Sequence, residues 1–200
     1  MNRLVIVGAS GHGKVVADIA CLVGYEEIVF LDNNPELKDC LGYPVIGSNE
    51  ILKDIDGDVF IAVGNSEVRK RLMSLYENRN FPVLIHPSAV IAKSVQIDAG
   101  SIVMAGAVIN PEAKIGKGVI INTSCSIDHE CTINDFCHVS VGSHLAGNVI
   151  VGEASWIGAG AIVSNNVSIS SGCIIGAGTV VVHDIETKGT YIGVPARKIK

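Results

Sequence analysis

The chain has 200 residues and a formal net charge of −5, with 48% hydrophobic residues, 4% aromatic residues and 22 glycines. An acidic balance without a basic run excludes nucleic acid and an anionic membrane surface as partners, and no apolar stretch is long enough to span a bilayer. A core rich in Ile, Val, Ala and Cys but poor in rings predicts narrow, regular layers, which favours a repeat architecture over an ordinary globule.

Residues 1–85 read as alternating strands and helices. Leu4-Val5-Ile6-Val7 predicts a buried first strand rather than a signal peptide, so the chain is expected to be cytoplasmic. Gly8-Ala-Ser-Gly-His-Gly13 predicts a turn, and residues 14–22 carry Val15, Val16, Ile19 and Ala20 at helical spacing. Residues 27–31 predict a second strand, broken at Asp32-Asn33-Asn34-Pro35. Residues 59–63 predict a third, running into Gly64-Asn65, and residues 66–76 a helix. Strand, glycine turn, helix, strand, acidic residue is a Rossmann-like βαβ pattern and implies a small parallel sheet. The Gly-x-x-Gly-x-Gly loop and the helix N-terminus can hold phosphate, and Asp32 ends a strand where ribose or base contacts usually lie. The segment is too short for a dinucleotide fold and predicts a site for one nucleotide. His86-Pro87-Ser88 marks the boundary, giving domains at 1–85 and 86–200.

Beyond it the period changes. Ile, Val or Leu occupies every sixth position from Ile91 through Ile109, Ile127, Leu145 and Val163 to Val181, sixteen in succession. From Ile97 onwards a smaller side chain precedes each aliphatic by two, as in Ser101, Ala107, Cys125, Cys131, Cys137, Ser155 and Cys173. Residues two apart in extended chain share a face, so each hexapeptide offers one large and one small inward group, then turns. Four of the six cysteines fall in the small slot and are expected to be packing atoms rather than redox or metal groups.

This repeat resembles the hexapeptide acyltransferases, in which three hexapeptides make one triangular coil of a left-handed β-helix; sixteen would give about five coils. A wider set of motifs covers both halves: Gly8–Gly13, Phe30-Leu31-Asp32, Ala62-Val-Gly-Asn65, Ser126-Ile-Asp-His-Glu130, His138-Val-Ser-Val-Gly142 and Gly193-Val-Pro-Ala196. Together they resemble the bacterial sugar O-/N-acetyltransferases, which include the bacillosamine-pathway N-acetyltransferases and the sialic acid O-acetyltransferases. That resemblance implies a homotrimer with acetyl-CoA in the groove between neighbouring β-helices, and no metal.

The resemblance also assigns residues. His129, two residues after Ile127 on the turn side, is the implied general base, and neutral imidazole near pH 7 can take a proton from an attacking amine or hydroxyl. Glu130 is the implied acidic neighbour that raises its basicity. Gly147, eighteen residues after His129, is the implied oxyanion donor. His138 is implied to contact the thioester, and Ala159 and Ala177, within Gly158-Ala-Gly160 and Gly176-Ala-Gly178, to line the coenzyme A arm. Ser10, Gly11, His12, Asp32, Asn33 and Gly64 are implied to hold the nucleotide of a sugar nucleotide. Relatives that use UDP-sugars often carry a second aspartate where this chain has Asn33, which leaves the base and sugar contacts open. Arg197 and Lys198 are either cations for the CoA phosphates or a basic tail, and His144 has no implied role.

The expected reaction is N-acetylation of a UDP-linked 4-amino-4,6-dideoxy sugar by direct attack on acetyl-CoA, with no acyl-enzyme. O-acetylation of a sialic acid or related sugar is the alternative. Two further classes are a zinc hydrolyase-like β-helix using His129, His138 and His144, and a non-catalytic scaffold.

Overall fold

Apolar runs at residues 4–7 and 28–31 become the centre of a parallel sheet, because a strand buried on both faces needs apolar residues throughout. The computed structural model describes residues 2–200, and the chain divides into two units, one ending at Pro87 and the other beginning at Ser88.

In the first unit β1 (Arg3–Val7), α1 (Gly11–Leu22), β2 (Glu27–Leu31), β3 (Asp39–Cys40), β4 (Tyr43–Gly47), β5 (Asp58–Ile61) and α2 (Ser66–Leu75) follow in order. The sheet order is β3-β4-β2-β1-β5, with only the β3–β4 pair antiparallel. Leu4, Val5, Ile6, Phe30 and Leu31 are completely buried, and α1 contributes Val16, Ala17, Ile19 and Ala20 to the core. The βαβ expectation describes β1, α1 and β2. Two features differ from it. First, α1 begins at Gly11, earlier than residue 14, because the Ser10 carbonyl already accepts from Lys14 N at 3.0 Å. Gly13 is therefore a helical residue, and a Cβ there would collide with the Gly8 carbonyl. Second, residues 39–47 form the β3–β4 hairpin, whose short, half-exposed strands lack the long apolar run that marks β1 and β2.

The second unit is a parallel β-solenoid of two-residue strands. Each strand pairs in register with another eighteen residues on: Val108–Ile109 with Ser126–Ile127, Thr132–Ile133 with Ile150–Val151, His138–Val139 with Trp156–Ile157. These pairings define three faces, here called the Ser126, Thr132 and His138 faces. In each strand the second residue points inward, and Ile127, Ile133, Val139, Val151 and Ile157 are completely buried. The expected count of about five coils differs from the observed ladders. The Thr132 face carries five strands, but the Ser126 face carries six, from Val90–Ile91 to Val180–Val181. Sixteen hexapeptides do not divide evenly over three faces, so one face keeps an extra rung.

The small inward slot has its own chemistry. Cys125 Sγ donates to the Ser140 carbonyl at 2.9 Å, Cys131 Sγ to Ala146 at 3.2 Å, and Cys137 Sγ to Gly152 at 3.1 Å. Ser101 and Ser155 make the same kind of bond to Gly116 and Ser170. The slot thus takes a small group that can satisfy a corner carbonyl, and burial pushes the Cys125 and Cys131 thiols up, away from thiolate chemistry. At the corners, every sixth residue from Gly100 to Gly178 has a positive φ. Half of these are not glycine, and Glu130, at 60°, is one of them.

Candidate active site

The corner between the Ser126 and Thr132 faces gathers the first group of expected residues. His129 projects outward, and its Nδ1 lies 2.9 Å from Glu130 Oε2, both side chains being 57% exposed. A carboxylate only accepts, so this contact holds the proton on Nδ1 and leaves the Nε2 lone pair available. The His129 backbone is held in turn: its N–H donates to Asp128 Oδ1, which also accepts from Asn110 Nδ2, both at 2.8 Å. The Asn110 bond, then that from His129 N, holds the Asp128 carboxyl below the usual range. Directly above stands Gly147, where a Cβ would lie 2.6 Å from His129 Cε1 and Nε2. The ring can occupy this place only because residue 147 has no side chain. The Gly147 carbonyl accepts from Asn166 N at 3.0 Å, while its N–H has no protein acceptor among the described residues. Asp128, His129, Gly147, Asn148 and Asn165 line an open depression of about 430 Å³.

His138 belongs to the next face. Its Nε2 lies 3.1 Å from Asn122 Nδ2, and its ring stacks on the indole of Trp156 with centroids 5.4 Å apart and planes 7° from parallel. Trp156 is 49% exposed, and its Nε1 donates to Ser140 Oγ at 2.5 Å. His144 sits on the Ser126 face with Nδ1 2.8 Å from Ser126 Oγ. The three histidines of the zinc reading therefore have separate neighbours, and among the described residues no group of three or more His, Cys, Asp or Glu could hold a metal ion.

Ala159 and Ala177 stack on the corner between the His138 and Ser126 faces, both exposed, with Gly178 N donating to the Ala159 carbonyl at 2.9 Å. Gly158 permits the coils to approach, since a Cβ there would stand 2.6 Å from Ala177 N. Gly160 and Gly178 meet nothing on their outer side, so the strip is smooth. This corner is not the His129 corner. One chain places the base and the strip on two different edges, separated by the whole Ser126 face, which exposes Val90 and Ile162.

The first unit holds the remaining expected residues. Ser10 is the N-cap of α1 without a side-chain cap bond, and Gly11 opens the helix with free space where a Cβ would stand. Asp32 ties two loops: Oδ2 accepts from Ala9 N at 2.8 Å and Oδ1 from Asn34 N at 2.9 Å. Asn33 Oδ1 accepts from Asn49 N at 3.1 Å. His12 is largely buried beneath this loop, and its Nε2 lacks a partner. Burial, helped by the positive charge of Arg69, pushes its pKa down to about 4. Arg69 is itself buried and donates to the carbonyls of Val63 and Gly64 at 2.8 and 3.1 Å, which fixes the Gly64 turn. Beside Asp32 and Asn33 a cleft of about 250 Å³ is closed by Lys38, Ile46 and Ser48.

Sequence reasoning overlooked Asn110, Asn122, Asp128 and Trp156. Asn110–Asp128 and His138–Trp156 are each eighteen apart, so the repeat period would have paired them. Asn122 lies sixteen before His138, and no spacing rule reaches it.

A family model of the PglD N-terminal domain matches residues 3–75. Among curated proteins, the chain is 36% identical over 114 residues to the UDP-N-acetylbacillosamine N-acetyltransferase of Bacillus subtilis (strain 168). That match takes in 52% of this chain and spans about half, 52%, of the relative's length. Among solved structures the chain is similar to the acetyltransferase domain of PglB from Neisseria gonorrhoeae FA1090 in complex with acetyl coenzyme A, with 41% identity, a TM-score of 0.96 and full coverage of both chains. It is also similar to PerB from Caulobacter crescentus in complex with CoA and GDP-perosamine, with 37% identity, a TM-score of 0.94, and coverage of 100% of this chain and 98% of that one.

Proposed function

This chain belongs to the bacterial sugar N-acetyltransferases of the β-helix family, and we propose that it transfers an acetyl group from acetyl-CoA to the amino group of a nucleotide-linked sugar. The acceptor of this reading is a UDP-linked 4-amino-4,6-dideoxy sugar. The B. subtilis relative, named for a UDP-sugar, supports that choice, while PerB was solved with a GDP-sugar.

The single observation that carries the mechanism is the His129–Glu130 contact, which leaves the imidazole Nε2 lone pair beside Gly147. In this mechanism the neutral amine attacks the thioester carbonyl, and His129 Nε2 takes the proton released as the C–N bond forms. The carbonyl oxygen gains negative charge, and the Gly147 N–H is the donor that meets it. The C–S bond then breaks, and the proton returns from His129 to the CoA sulfur. No protein nucleophile enters, so no acyl-enzyme forms.

The smooth Ala159–Ala177 strip fits an extended pantetheine arm, and Arg197 and Lys198 are placed in this reading near the CoA phosphates. Since base and strip occupy different edges of one helix, the same reading joins the His129 edge of one copy to the Ala159 edge of the next. A cyclic homotrimer of left-handed helices closes such a head-to-tail contact. The nucleotide belongs to the first unit, with its phosphates at Ser10, Gly11 and His12 and its base and ribose beside Asp32, Asn33 and Gly64.

His129→Ala is expected to lose at least about a hundredfold in kcat while CoA affinity, measured by calorimetry, is kept. An unchanged kcat would remove His129 as the base. Thermal shifts with UDP-, GDP- and CMP-sugars identify the acceptor nucleotide, the UDP-sugar being expected to stabilise most.

A further inference from the structure

The two histidines of the solenoid site expose opposite polarity. Asn122 determines this for His138. The Thr123 backbone N–H, which can only donate, points at Asn122 Oδ1 from 2.8 Å. That bond fixes which end of the carboxamide is oxygen, a choice that density or coordinates alone leave open for most Asn side chains. The other end is NH2, and it faces His138 Nε2 at 3.1 Å. An amide NH2 carries only protons to offer, so Nε2 must supply the lone pair. A neutral imidazole that accepts at Nε2 has its proton on Nδ1. A second proton on Nε2 would face the NH2 protons directly, so the same contact opposes the imidazolium form.

Trp156 fixes the plane in which that N–H lies. It is the rung above His138 in the ladder, with Cα atoms in register. Its indole covers one face of the imidazole in an offset stack, and its own orientation is set by the bond from Nε1 to the Ser140 hydroxyl. Ser140 is 7% exposed and held in the coil. Ring rotation in His138 would break the Asn122 contact and the stack together.

We infer that Asn122 and Trp156 are positioning residues that hold His138 as a neutral Nδ1–H hydrogen-bond donor, so that it assists acyl transfer by donating to a ligand oxygen and never acts as a second base. This rests on the proposed acetyl-CoA chemistry for its ligand, but not for the tautomer itself. His129 and His138 then carry the same tautomer and do opposite work. Glu130 occupies the N–H of His129 and leaves a lone pair, whereas Asn122 occupies the lone pair of His138 and leaves the N–H.

The test uses the full-length protein labelled with 15N-histidine, observed by long-range 1H–15N correlation at neutral pH, with His138 assigned by its loss in His138→Gln. In the wild type His138 Nε2 is expected at the frequency of an unprotonated nitrogen and Nδ1 at that of a protonated one. Asn122→Asp replaces the donor with an acceptor and is expected to move Nε2 to the protonated frequency. With it kcat falls by about tenfold or more while KM for the acceptor sugar stays within about twofold. Trp156→Phe keeps a stacking ring and is expected to hold kcat within about threefold, where Trp156→Ala loses more. A protonated Nε2 in the wild type overturns the assignment, and so does Asn122→Asp with an unmoved Nε2 or an unmoved kcat. If Asn122→Asp does not fold, the wild-type spectrum alone decides. Absence of CoA-dependent turnover in the wild type would defeat the proposed function and leave the tautomer tested on its own.

Discussion

The imidazole of His129 lies on the backbone of Gly147, one coil away, so closely that a Cβ at 147 would stand 2.6 Å from both Cε1 and Nε2. Residue 147 has no positive φ, so the ring and not the backbone excludes a side chain there. Gly147→Ala is expected to push the ring aside and reduce kcat by about 10- to 100-fold, with CoA affinity little changed. In a His129→Ala background the same substitution should cost less than about threefold more, because there is no ring left to displace. Steady-state kinetics of the four proteins form the cycle. Equal losses in both backgrounds would show that the methyl group acts on something other than His129.

Glu130 occupies a corner that suits glycine. Its φ of 60° places a non-glycine residue in the left-handed region, at a cost of about 1–2 kcal/mol. The side chain that bears this strain is the one that holds His129 Nδ1. Glu130→Gly should therefore raise stability by about 1 kcal/mol, read from urea unfolding, while kcat falls by about tenfold as the base loses its acceptor. A variant that gains stability and keeps its rate would mean that Glu130 has no part in the reaction.

The solenoid was legible because its physics is periodic. One inward aliphatic in six residues, from Ile91 to Val181, is both the sequence pattern and the packing rule, and so the stacking of His129 with Gly147 followed from counting. The first unit was less so. The hairpin at Asp39–Gly47 has alternate exposed and half-buried residues and no long apolar run, so nothing distinguished it from a loop, although it closes the cleft beside Asn33. Asp32 was read as a ligand contact, yet both of its oxygens already accept backbone N–H groups at Ala9 and Asn34. Its nearer task is to hold the glycine loop against the end of β2. Burial of His12 was equally hidden, because it depends on Arg69, 57 positions further along the chain, packing under the same loop.

That burial has a pH signature. The folded chain holds His12 at about 4, against an ordinary value of 6.5. Between those values the unfolded chain binds a proton that the folded one does not, so stability is complete above pH 6.5 and declines as pH falls towards 4. The full loss from this one residue is about 3 kcal/mol. His12→Gln stays neutral throughout and should flatten that part of the profile. The measurement is the difference in unfolding free energy between wild type and variant at pH 7 and pH 4.5. If the two proteins lose stability in parallel, His12 is not the group responsible.

The base and the smooth strip stand on different edges of each solenoid, so a complete site needs two copies under the proposed reading. This makes a mixing experiment decisive. His129→Ala removes the base edge only, and Ala159→Trp should block the strip edge only, each leaving an almost inactive homo-oligomer. The Ala159 side chain is exposed, so the tryptophan should leave the fold's melting temperature within about 2 °C. Unfolding and refolding the two variants together at equal amounts creates contacts in which an intact His129 edge meets an intact Ala159 edge. With random assortment in a closed ring, about one contact in four is of this kind, and activity should return to about a quarter of the wild-type value. If activity stays at the level of the separate variants, base and strip must act within one chain. The trimeric site would then be wrong, and the acyl donor would have to reach His129 along the Ser126 face.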